Sequence, residues 1–136
     1  MPPVSLQTLR RLLVYWVPPL LWAVMLIVLS GRAFSSGAPT WLLGRDKLAH
    51  AAFFGMMAVL LFRALRYGHR WPPGRAAGVA FLLACLYGGL DEVAQRQQLT
   101  RNADLADFAA DAIGASLVFF APLLRLPPPP EPAVST

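Results

Sequence analysis

The stretch DKLAHAAFFGMMAVLLFRAL, residues 46–65, sets an acid, a base and a histidine against an apolar run that extends from Leu48 to Leu65. A run of that length and composition suits a helix that crosses a bilayer. The ionisable residues crowd one end of it, and ionisable groups at the margin of a membrane helix point to function by default. Three further apolar blocks share the pattern: residues 12–29, residues 76–90 with a more polar continuation to about residue 98, and residues 105–126. The first has 18 residues and spans about 27 Å as a helix, close to the thickness of the hydrocarbon core. It exceeds a secretory h-region, and no clean small-x-small cleavage site follows, so an uncleaved helix is expected. Pro18 and Pro19 should kink it.

Composition agrees. The chain has 136 residues, 57% of them hydrophobic and 14% charged, where a soluble domain carries roughly 25% charged residues. The expected fold is all-α: a small polytopic bundle of four transmembrane helices over residues 1–126, with a disordered proline-rich tail over residues 127–136. Residues 30–45, with Ser35-Ser36-Gly37 and Trp41, read as a loop with an interfacial anchor. Trp71-Pro72-Pro73-Gly74 reads as a tight turn. The net charge of +5 belongs to arginines and lysines beside apolar blocks. It therefore reads as a topology signal, with no nucleic-acid partner expected. Cys85 is the single cysteine, which excludes an intramolecular disulfide.

Orientation follows from the basic residues. Arg10, Arg11, Arg63, Arg66, Arg70, Arg75 and Arg125 fall on one side of a four-span chain, and Arg32, Arg45, Lys47, Arg96 and Arg101 on the other. That seven-to-five division puts both termini in the cytoplasm. Six of the seven acids, Asp46, Asp91, Glu92, Asp104, Asp107 and Asp111, share the side with fewer basic residues.

Those acids come from the start of the second helix, the end of the third and the start of the fourth. On a helical wheel Asp46 and His50 lie about 40° apart, Gly88, Asp91, Glu92 and Gln95 occupy about 100°, and Asp104, Asp107 and Asp111 about 60°. Each helix thus has one polar stripe, and such stripes turn inward or toward water. Gly88, Gly114 and Ala115 lie on or beside the stripes and permit close approach. Asp46 and Asp104 also suit helix N-caps, and Lys47, Arg96 and Arg101 can neutralise neighbouring acids. With one histidine in the cluster, no metal site and no cofactor are expected. General acid/base chemistry remains, with His50, Glu92 and Asp107 as catalytic candidates. Asp46, Lys47, Asp91, Gln95, Arg101, Asp104 and Asp111 are binding candidates: Lys47 and Arg101 to hold an anionic group, Gln95 and Asp111 to join Glu92 and Asp107 in a polar floor. A non-catalytic bundle whose polar ends dock a partner is the alternative. An ion path would need polar groups through the whole bundle, and Ala58-Val59-Leu60-Leu61 offers none.

The order Asp46-Lys47-x-x-His50, Asp91-Glu92-x-x-Gln95, Arg101, Asp104, Asp107 and Gly114 resembles the VanZ-like family over residues 46–115. Two positions depart from the family pattern. Leu99-Thr100 stand where Pro-Gly often precedes the arginine, and Asp111 stands where asparagine is frequent. The resemblance implies a bacterial inner-membrane protein of the cell envelope, in a family associated with low-level resistance to the glycopeptide teicoplanin. It implies a lipid-linked or wall-associated ligand at the outer face, and it supplies no reaction.

Overall fold

The computed structural model describes residues 6–31, 43–96 and 105–123. Among these the chain is helical throughout, with four α-helices: α1 Leu6–Gly31, α2 Leu43–Arg63, α3 Pro73–Arg96 and α4 Leu105–Ser116. Three segments are long and apolar enough to cross a membrane: Leu6–Leu29, Lys47–Gly68 and Pro73–Val93. α4 has 12 residues. With the 3-10 turn Leu117–Phe120 that follows it, it extends about 26 Å. Of the loop expected at residues 30–45, the ends are helical, residues 30–31 in α1 and 43–45 in α2; its middle and the proline-rich tail lie outside the described residues.

Local chemistry explains where the helices change. Pro18 and Pro19 both lie inside α1, and the helix continues through them. After Arg63, α2 widens into a π-helical turn, Ala64–Gly68. His69 N–H donates to the Ala64 carbonyl at 3.2 Å and Trp71 N–H to the Leu65 carbonyl at 3.2 Å. The reversal occupies residues 69–72, where Arg70 takes a left-handed φ of 59°. Pro73 then opens α3, a position where its missing N–H is not needed. The turn thus lies slightly earlier than Trp71-Pro72-Pro73-Gly74 implies, because the second proline starts a helix. In α4 the Ser116 hydroxyl donates to the Ile113 carbonyl at 2.6 Å. That carbonyl is the α-helical acceptor for Leu117 N–H, so the competing bond coincides with tightening to 3-10 geometry.

α2 is the centre of the assembly and touches each of the other helices. Its buried residues Ala58, Leu61 and Phe62, continued by Leu65 in the π turn, follow helical spacing. α3 meets it with Ala76, Ala80 and Ala84, all fully buried, and such small residues bring helix axes close. α1 runs antiparallel to α2: Trp16 pairs with His69 near the turn, while Trp22 Nε1 donates to the Phe53 carbonyl at 3.0 Å. Tyr87 on α3 donates its hydroxyl to the Ala23 carbonyl at 2.8 Å. α4 runs parallel to α2. The outer surfaces are apolar, with Leu13, Val17, Leu20, Val24 and Ile27 exposed on α1 and Leu82, Leu86, Leu90 and Val93 on α3. Ordered stripes of exposed aliphatic residues on this scale fit contact with lipid.

Candidate functional site

The start of α2, the end of α3 and the start of α4 meet at one end of the bundle. The contact between α2 and α4 is held close by glycine. A Cβ on Gly114 would overlap the Ala51 backbone, and one on Gly55 would lie 3.0 Å from the Gly114 carbonyl oxygen. With the backbones this near, side chains one turn earlier are brought into register.

Two pairs result. Lys47 Nζ donates to Asp107 Oδ1 at 3.0 Å. One turn deeper, His50 Nδ1 lies 3.0 Å from Asp111 Oδ1. Lys47 and His50 are spaced i,i+3 and Asp107 and Asp111 i,i+4, so each pair of residues occupies one face of its helix. The outer pair is partly open to solvent, with side-chain exposures of 41% and 17%. The inner pair is enclosed, at 15% and 2%. Charged or polar groups at that depth need partners. With Asp111 ionised, the contact requires a proton on His50 Nδ1, which fixes the tautomer and leaves the basic lone pair on Nε2.

α3 makes room for this arrangement and adds a third acid. Gly88 faces Asp111; a Cβ there would come within 3.0 Å of Asp111 Oδ2 and 3.1 Å of Phe54. One turn on, Glu92 is buried. Its Oε2 is enclosed and lacks a hydrogen-bond partner among the described residues. Glu92 also lies within electrostatic reach of Asp107, Asp111, Asp91 and His50. The cluster therefore comprises a cation paired with an acid, a histidine held by a carboxylate, and a second buried carboxyl whose Oε2 has no mate among the described residues.

The structure brings together Lys47, His50, Glu92, Asp107 and Asp111, with Asp91 half-buried beside Glu92. Asp46 falls within α2 and Gln95 within α3. Arg101 and Asp104 lie outside the described residues. The pairing itself, Lys47 with Asp107 and His50 with Asp111, was encoded in the matched i,i+3 and i,i+4 spacings. The polar stripes alone do not reveal it, because they do not say which rungs of two parallel helices align. No group of three or more His, Cys, Asp or Glu side chains with metal-holding geometry occurs among the described residues. Chemically, the arrangement can accept or deliver a proton at His50 and can hold an anion near Lys47. Comparison with protein-family models, curated proteins and solved structures finds no match to this chain.

Proposed function

We propose that this chain is a VanZ-like protein of the bacterial inner membrane that binds or modifies a lipid-linked or wall-associated anionic ligand at its outer face. The bilayer is then crossed four times, with both termini in the cytoplasm. Support for the fourth crossing comes from α4 running parallel to α2 and, with its 3-10 turn, reaching about 26 Å. The observation that carries the functional reading is the buried Asp111–His50 pair beside the unpartnered Glu92 oxygen. A carboxylate that orients a histidine is the usual means of preparing a general base. A buried carboxyl oxygen without a hydrogen bond, as Oε2 is among the described residues, is costly unless a ligand or a proton occupies it. Lys47, at the rim, would exchange Asp107 for the ligand's phosphate or carboxylate.

The accessory reading is favoured by a different fact: Lys47 and Asp107 already satisfy each other, as in a purely structural clamp. The two separate in a deletion strain carrying variants. His50→Gln and Asp107→Asn conserve approximate size and some hydrogen bonding. A working site predicts loss of the envelope phenotype, glycopeptide susceptibility first, at normal membrane abundance. Full phenotype in both variants at normal abundance would leave only the accessory role.

A further inference from the structure

The opposite end of the bundle holds a second constellation. Arg10 and Arg11 lie on α1, Arg63 and Arg66 at the end of α2 and its π turn, and Arg70 and Arg75 around the reversal. The described acidic side chains, Asp91, Glu92, Asp107 and Asp111, all belong to the other end. Two of the arginines have partners: Arg66 donates to the Trp71 carbonyl at 3.2 Å, and Arg75 stacks over the Trp71 ring at 4.3 Å. Arg63 has no ion-pair partner among the described residues, and the buried Arg11 Nε has no hydrogen-bond partner there.

Between α1 and α2 runs a groove of about 210 Å³, lined by Val14, Tyr15, Pro18, Leu60 and Arg63. Toward the reversal, Tyr15 stacks on Tyr67 with ring centroids 5.9 Å apart. Toward the middle of the bundle, Trp22 meets Phe53 edge-on at 6.1 Å. The walls between are mostly apolar, and the polar end carries an arginine. Arg11, Tyr15 and Pro18 follow one stripe of α1 at i, i+4 and i+7, which aims Arg11 along the same face.

We propose that this groove holds one acyl chain of an anionic phospholipid whose phosphate is bound by Arg63, with Arg11 as a second donor. An aliphatic chain suits Val14, Pro18 and Leu60. A guanidinium near the membrane boundary is a bidentate phosphate ligand whose stem packs along apolar surface. Arginines with no described acid beside them give this end a positive field, so the preference is for net negative lipid. The inference rests on α1 and α2 being bilayer spans and is independent of the ligand at the other end.

The test is native mass spectrometry of the full chain, released from bilayers containing equal phosphatidylglycerol and phosphatidylcholine. Wild type should retain phosphatidylglycerol preferentially, by about fivefold for each arginine engaged. Arg63→Gln should lower that preference about fivefold. Leu60→Trp, which fills the groove, should reduce retention of both lipids, and Arg75→Gln should change neither. Equal retention of the two lipids by wild type, or an unchanged preference in Arg63→Gln, overturns the proposal. So does displacement by inorganic phosphate at low concentration, which would mark an anion site with no use for the chain. Should Arg63→Gln fail to accumulate, the wild-type competition and the Leu60→Trp variant decide. Failure of the chain to insert in membranes would instead remove the broader reading.

Discussion

Lys47 and Asp107, and His50 and Asp111, form two rungs of one ladder, and the rungs differ in kind. The outer rung is partly hydrated, so its coupling in a double-mutant cycle should be small, about 0.5–1 kcal/mol. The inner rung is enclosed, and its loss is felt through the partner left behind. His50→Ala, which strands Asp111 at 2% exposure, should cost on the order of 3 kcal/mol. Adding Asp111→Ala should recover part of that loss, because the stranded charge is gone. Thermal unfolding of both single variants and the double measures this; a double mutant whose loss equals the sum of the two single losses would show that the two side chains are not coupled. That Lys47, His50, Glu92, Asp107 and Asp111 gather at one end was legible in the sequence, because the acids and His50 sit near helix ends on inward stripes. Their partners were not, since register between helices is set by backbone contact at Gly55 and Gly114, which a wheel diagram cannot show. Of the two expectations for Lys47, holding an anion or neutralising a neighbouring acid, the pairing with Asp107 matches the second.

At the scale of the helices, glycine decides where the site can form. A Cβ on Gly114 would overlap the Ala51 backbone, which cannot yield as a side-chain tip can. Gly114→Ala should therefore destabilise the bundle by about 1–3 kcal/mol or more and pull Asp107 and Asp111 away from α2. Gly88→Ala meets a carboxylate oxygen and a ring edge at 3.0 and 3.1 Å, groups able to shift slightly, so its effect should be smaller. Gly89→Ala meets only Phe108, at 3.8 Å, and should be neutral or mildly stabilising through helix propensity. The same thermal unfolding ranks the three, and an equal effect at Gly114 and Gly89 would contradict the close crossing of α2 and α4. The cores of the three long helices were legible because apolar length is written directly into composition. The π turn after Arg63, the start of α3 at Pro73 and the 3-10 turn after Ser116 were not. Each depends on a local competition for backbone hydrogen bonds that periodicity does not register.

Over the whole molecule, the described acids are segregated: with Lys47 and His50 they gather at one end, and Arg10, Arg11, Arg63, Arg66, Arg70 and Arg75 lie toward the other. The number of crossings decides what this polarity means. With four spans both termini lie in the cytoplasm; if α4 only dips into the bilayer, the C-terminus lies outside. A reporter fused after Arg125 should therefore be active only in its cytoplasmic form, and the opposite result would reduce the count to three and reverse the position of the tail. On the proposed reading, the Lys47–His50–Glu92–Asp107–Asp111 end is a ligand site and not only a clamp. The most direct measurement is native mass spectrometry of the chain purified from its own membrane, beside His50→Gln and Asp107→Asn at matched abundance. An anionic lipid-linked species is expected on the wild type, lost from both variants and kept by Arg63→Gln. The same bound species on all four proteins, or none on a correctly inserted wild type, would contradict that reading.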